Sequence, residues 1–282
     1  MVIEMKLGLL TGKDGIQKND KHLIERGFMI IEERSKSERY IKLKDKGDAL
    51  KVRSIDQLMF DNFPEDFNYF LDFINPKDFK KQSFDLIGNK NTTGFLNFAA
   101  SQVKKGRVLY GPTFYETDVK KDFHLSYDKF AMTIARSQKC FVVDSTEDNA
   151  LLDMTDARLA TGNLYGGDAN SFIDVLNTDY QPYKLKGKIL LIDGLSSHKS
   201  ELRRQLTALN QKKVFVGVKG VIFGQIKNLN LKEFVKVEFT ELTRLNIVYD
   251  FMGANTENQS YVMLGKKVKI DPITKTIIQF SK

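Results

Sequence analysis

The chain has 282 residues, 41% hydrophobic and 28% charged, the balance of a globular protein with room for two domains. Its formal net charge is +8, yet the basic pairs Lys104-Lys105, Lys120-Lys121, Lys212-Lys213 and Lys266-Lys267 are scattered among acidic residues. Without zinc-finger spacing or an aromatic-basic segment, a solvated lysine surface is expected and a nucleic-acid partner is not. No apolar run approaches the roughly 18 residues of a membrane span, so no membrane partner is expected either. The lone cysteine, Cys140, excludes an intrachain disulfide and fits a cytoplasmic location. No His, Cys and carboxylate cluster has metal-ligand spacing, and nothing implies a cofactor.

In chain order, "MKLGLLT" and "GFMIIEE" predict short strands, the first in place of a signal peptide. "SIDQLMFDNF" carries Ile55, Leu58 and Met59 at helical spacing and predicts a helix. "FDLIG" predicts a strand ending at Gly88. "TGFLNFAASQV" follows as a helix with Phe95, Leu96, Ala99 and Val103 on one side, and "GRVLYGP" as another strand. Strand, helix, strand in that order implies a parallel α/β layer. "SYDKFAMTIARS" predicts a helix, "KCFVVDS" a strand, and the acidic "STEDNALLDMTDAR" a connection.

The second half alternates more regularly. "KGKILLIDGL" predicts a buried strand. "SSHKSELRRQLTALNQKK" predicts an amphipathic helix with Leu202, Leu206 and Leu209 inward and Ser196 or Ser197 as its cap. "VKGVIFGQI" reads as a strand, "LKEFVKVEFTEL" as a helix and "LNIVYDF" as a strand. "KKVKIDPITKTIIQF" reads as a hairpin turning at Pro272. Gly166-Gly167, in "TGNLYGGDANSFIDV", is expected to open a helix through a tight turn. It lacks the spacing of a nucleotide-binding loop.

One ordered set of residues is more specific. Gly162, Leu164, Gly166 and Gly167 are followed by Tyr180 and Pro182, then by Gly187, Lys188, Ile189 and Leu190, then by Lys219, Gly220 and Gly224. In this order and spacing the chain resembles the LD-carboxypeptidase family of serine peptidases, which includes muramoyl-tetrapeptide carboxypeptidases and microcin C self-immunity peptidases. The resemblance implies a two-domain α/β fold. An N-terminal parallel-sheet, Rossmann-like domain would span 1–112 and carry a catalytic elbow. A connecting segment would span 113–158, and a C-terminal mixed α/β domain of swivelling type 159–282.

The family's chemistry needs a serine nucleophile, a histidine base and a glutamate that orients the histidine. Its serine sits on a strand-to-helix elbow, G-x-S-D-x-T. Against that pattern Gly88 and Thr93 match, Lys90 falls on the serine and Asn91 on the aspartate. The glutamate falls on Asp193 and the histidine on Asn255. Asparagine has no titratable nitrogen near neutral pH, and an amide formed on Lys90 would be a dead end. The family's Gly-Gly loop, which donates an N–H to the oxyanion, aligns with "FDNFPEDFNYFLDF", where no glycine lies between Phe60 and Phe73.

The resemblance therefore leads to a pseudoenzyme. The expected function is a degenerate LD-carboxypeptidase-like protein that binds a peptide, a muropeptide from peptidoglycan or a protein partner. Gly88, Asn91 and Thr92 are its ligand-cleft candidates, and a homodimer is expected. An active serine-type enzyme with a remodelled site is the competing reading, with His198 as the relocated base; His22 and His124 read as surface residues.

Overall fold

The computed structural model describes residues 7–11, 57–61, 76–111, 113, 140–144, 153–154, 156–181, 184–251 and 261–280. The first elements in chain order are β1 (Leu7–Thr11), β2 (Gln57–Asp61), β3 (Asp85–Gly88), α1 (Thr93–Gln102) and β4 (Val108–Tyr110). The next are β5 (Cys140–Asp144), β6 (Ala160–Asp168), α2 (Ala169–Val175), β7 (Ile189–Asp193), α3 (Lys199–Gln211) and β8 (Gly220–Gly224). The chain then forms α4 (Leu231–Glu238), β9 (Ile247–Phe251), β10 (Val262–Leu264), β11 (Lys267–Asp271) and β12 (Thr276–Phe280). They make two sheets in a two-domain α/β fold. The strands expected at "GFMIIEE" and the helix at "SYDKFAMTIARS" lie outside the described residues.

The first sheet has the order β1-β2-β3-β4-β10; β1 to β4 are parallel and β10 runs antiparallel to β4. The helix expected over "SIDQLMFDNF" is instead the strand β2. Leu58, Met59 and Phe60 are each no more than 1% exposed, so both faces of this inner strand are covered. A parallel strand buried on both faces reads as a continuous apolar run, and so short a run also satisfies helical spacing.

Beside it, the Asp85 carboxylate accepts hydrogen bonds from Arg107 N at 2.8 Å, Nε at 2.9 Å and Nη2 at 2.6 Å. The two residues are 1% and 7% exposed. Removing only the cation leaves a buried carboxylate unpaired, so Arg107→Met is expected to cost about 3–5 kcal/mol. Urea unfolding of the two proteins measures it, and Asp85→Asn/Arg107→Met is expected to recover part of the loss.

The second sheet has the order β5-β12-β11-β6-β7-β8-β9 and is mixed. The long strand β6 joins its two halves. Ala160 to Asn163 pair antiparallel with β11, and Leu164 to Asp168 pair parallel with β7. The strand expected at "KCFVVDS", within the connecting segment, is β5 at one edge of this sheet. The tail forms the expected hairpin, with Asp271 Oδ1 accepting from Ile273 N and Thr274 N in its turn.

Strand β10, too short to stand out in the sequence, lies in the first sheet while β11 lies in the second. Between them Gly265 turns at φ +76°, and its N–H donates to Leu164 O at 2.7 Å. The Gln279 side chain on β12 accepts from Met263 N at 2.7 Å and donates to Met263 O at 2.5 Å. It closes the open edge of β10 as another strand would.

Alternate residues of the second sheet face two cores. Leu164, Leu191, Ile222 and Val248 pack with α1 and the first sheet. Leu190, Ile192, Val221 and Phe223 pack under α2, α3 and α4, with Leu202, Leu206 and Leu209 inward as expected. The cap of α3 differs: His198 is the N-cap residue, and Ser196 Oγ accepts the His198 N–H at 3.1 Å one turn earlier. Helix α1 lies between the sheets, and Thr93 to Ala99 are buried without a break. A helix covered on every side needs no polar face.

Candidate functional site

The elbow has the expected strand–turn–helix shape. Strand β3 ends at Gly88, Lys90–Thr92 make one 3-10 turn, and α1 begins at Thr93. A Cβ at residue 88 would overlap the Thr92 side chain and meet Leu96 Cδ1 at 3.3 Å, which is why this position is glycine. Lys90 and Asn91 are half-buried at the tip of the turn, and Thr92 and Thr93 are fully buried. Both threonine hydroxyls are engaged. Thr92 Oγ1 donates to Asn89 O at 2.8 Å, and Thr93 Oγ1 accepts from Asp168 N at 3.0 Å.

The elbow docks on the end of β6. Asn97, buried in α1, donates to Thr93 O at 2.7 Å and to Gly166 O at 2.8 Å, and accepts from Gly166 N at 2.7 Å. Ser171 Oγ on α2 donates to Asn91 O at 3.3 Å. This arrangement corrects the reading of Gly166-Gly167 as a helix opening. Both glycines belong to β6, at φ +113° and +136°, and the helix starts at Ala169. Its cap is Asp168, whose Oδ1 accepts from Asn170 N and Ser171 N. At residue 167 a Cβ would lie 2.7 Å from Thr93 Oγ1 and 3.0 Å from Tyr110 Cε2. The absent side chains let the elbow and the strand touch.

Asp193 ends β7 at 1% exposure, beside Asp168 across the sheet. Tyr110, paired with Gly88 at the end of β4, donates its hydroxyl to Asp193 Oδ2 at 3.1 Å. Gly224 on β8 leaves the space that Asp193 Oδ1 fills. So the strand end that carries the elbow is linked to Asp193 on the second sheet through Gly88 and Tyr110. Asn255, the third expected site position, lies outside the described residues, as does most of the stretch aligned with the glycine loop. His198 is exposed at the start of α3. Among the described residues, no group of three His, Cys, Asp or Glu side chains is placed to hold a metal ion.

Sequence reasoning missed Tyr110 and Asn97. An asparagine among Phe95, Phe98 and Ala99 is a polar residue on an apolar helix, and a buried amide must find partners. That signal was readable. The tyrosine at the end of "VLY" carried none.

At the edge of the second sheet Asp250 sits at φ +60°, and burial, then the nearby Asp153 charge, raise its carboxyl above the usual range against the pull of Lys232. Lys232 Nζ itself lies 2.9 Å from Asp153 Oδ2. A carboxyl raised on folding stabilises the native state only while protonated, and that contribution is lost as pH rises through its folded value. Asp250→Asn, which tolerates the left-handed backbone, is therefore expected to raise the melting temperature at neutral pH. The gap should close as pH falls into the carboxylate range. Thermal melts of both proteins across pH check it.

Residues 161–270 match the LD-carboxypeptidase C-terminal domain. Over this segment the chain is similar to the LD-carboxypeptidase C-terminal domain. A comparison with curated proteins found no sequence match. Among solved structures, the LD-carboxypeptidase-like chain is similar to the microcin C7 self immunity protein MccF in complex with aspartyl sulfamoyl adenosine. That match has a TM-score of 0.79 at 16% identity, covering 100% of this chain and 97% of that one. An MccF-like protein from Bacillus anthracis str. Ames matches with a TM-score of 0.80 at 15% identity, over 99% and 97% of the two chains. An MccF-like protein from Streptococcus pneumoniae in complex with AMP matches with a TM-score of 0.75 at 15% identity, over 99% and 100%. At these identities the likeness is one of fold, and it extends over the whole chain. Among the described residues no helix is long and apolar enough to cross a membrane.

Proposed function

We propose that this LD-carboxypeptidase-like chain is a catalytically degenerate binding protein, which holds a peptide-like or nucleotide-linked ligand at the elbow without cleaving it. The observation that carries the reading is Lys90 at the tip of the elbow turn. A serine there could be acylated and then released by water; an acylated lysine would be an amide of the same stability as the substrate bond. Two further features support it. The neighbouring threonine hydroxyls are spent on internal hydrogen bonds, so neither is a ready replacement nucleophile. Asp193 is enclosed, with the Tyr110 hydroxyl on one oxygen where the family has a histidine to orient.

The fold relatives support the ligand class: their structures hold aspartyl sulfamoyl adenosine and AMP. Both pair an anionic or strongly polar linker with a planar base, and Lys90 at the start of a helix suits the former. A cytoplasmic homodimer is part of the same proposal. Calorimetry with aspartyl sulfamoyl adenosine tests the binding half. Saturable binding, weakened at least tenfold in Lys90→Glu, is expected; heats no larger than dilution for this ligand, AMP and a muramoyl-tetrapeptide would contradict it.

A further inference from the structure

We infer that the end of the second sheet opposite the elbow is a docking surface for an anionic membrane, built by six lysines that the sequence spaces apart. They lie in two segments, "KLKGK" (184–188) and "KKVFVGVK" (212–219), and neither segment contains an acidic residue. The fold ties the segments together. Gly187 N donates to Gly217 O at 2.8 Å, Lys219 N donates to Lys188 O at 2.7 Å, and the Lys186 stem packs against Gly217. Lys184, Lys186, Lys213 and Lys219 are exposed, and Lys188 and Lys212 are half-buried.

Among the described residues none of the six forms an ion pair with a carboxylate, whereas Lys232, Lys236, Lys269, Arg107, Arg203 and Arg204 all do. The ordered members are held by neutral partners instead. Lys212 Nζ donates to Leu176 O at 3.1 Å, Lys219 Nζ donates to Thr161 O at 2.9 Å, and Lys188 Nζ lies 5.5 Å from the centre of the Tyr165 ring. Their charge is thus left for something outside the chain. The scattered solvated surface expected from sequence is, at this place, a concentrated one.

The turn between α3 and β8 adds an apolar tip. Val214 and Phe215 are buried and anchor it, and Val216 is turned outward at 68% exposure. Left-handed residues Lys213 and Gly217 fix that geometry on either side. A projecting valine ringed by lysines suits a bilayer of anionic lipid, where the charges meet headgroups and the valine enters the interface. Nucleic acid fits less well. The two segments have no arginine for bidentate phosphate contacts, and the aromatic rings there, Phe215 and Tyr165, are 5% exposed and unavailable to stack on bases. The strands run from this patch toward Asp168 and Asp193, so a docked molecule would present the elbow to solvent. The inference stands apart from the ligand reading above.

Sedimentation of the full chain with vesicles tests it. Binding to vesicles containing phosphatidylglycerol, none to phosphatidylcholine alone, and release by salt are expected. Lys184→Glu/Lys186→Glu/Lys213→Glu should lose at least about tenfold in affinity. Lys104→Glu/Lys105→Glu, an exposed pair elsewhere, should retain it, and Val216→Ser should weaken it with no change in charge. Where the triple variant does not fold, Lys184→Gln/Lys213→Gln takes its place with a smaller loss in the same direction. No binding to the anionic vesicles, equal losses in the patch and control variants, or tighter binding to duplex DNA or an acidic peptide than to vesicles would each overturn it.

Discussion

The variant Lys90→Ser/Asn255→His releases D-alanine from a muramoyl-tetrapeptide at least roughly 10²-fold more slowly than an active family enzyme. The two changes restore the residue types of a nucleophile and a base, so a loss confined to those positions would be repaired by them. Two other features stay. The stretch aligned with the glycine loop still has no glycine between Phe60 and Phe73 to present an oxyanion donor. Asp193 still spends Oδ2 on Tyr110 and fills the space left by Gly224, and a new histidine must compete with that hydroxyl for orientation. Release of D-alanine followed by chromatography gives the rate. A double variant as fast as the family enzyme would mean that the oxyanion donor is present and the elbow assignment of the other residues incomplete.

Gly166→Ala unfolds the protein or destabilises it by several kcal/mol, about 3 or more. At φ +113° the backbone is in a region that L-residues avoid, and the new Cβ would overlap the Leu191 carbonyl, which belongs to the paired strand and cannot retreat. Asn97→Leu reports on the same contact from the other side. It keeps the volume but strands Gly166 N and Gly166 O, which now share the amide, at a cost of about 2–4 kcal/mol. Urea midpoints of the three proteins measure both. Wild-type stability in Asn97→Leu would show that water or another group satisfies the seam between elbow and β6.

Much of this fold could be read from residues one element at a time. The strands at "FDLIG", "KILLID" and "GVIFG" are short apolar runs with glycine at their ends, and the amphipathic α3 has an unambiguous inner face. Strand β2 was misread because burial on both faces erases the alternation that separates strand from helix. Strand β10 is three residues long and takes its partner, β4, from more than 150 residues earlier, a pairing no local pattern encodes. The elbow was legible because steric need fixes glycine at 88, and the geometry is set by neighbours close in sequence. Its docking was not. The glycine pair at 166–167 signalled special backbone, but only the tertiary contact with Thr93, Asn97 and Tyr110 says what the missing side chains make room for. Asp193 was found through a resemblance, while its partner Tyr110 comes from the other sheet.

The proposed site binds its ligand and does not turn it over. Incubating stoichiometric protein with aspartyl sulfamoyl adenosine, and separately with a muramoyl-tetrapeptide, and weighing ligand and protein by mass spectrometry tests that directly. Intact ligand and an unmodified chain after prolonged incubation are the predicted result. Release of aspartate or D-alanine, abolished by His198→Ala or by a substitution at the elbow, would contradict it and make this chain an enzyme with a rebuilt site.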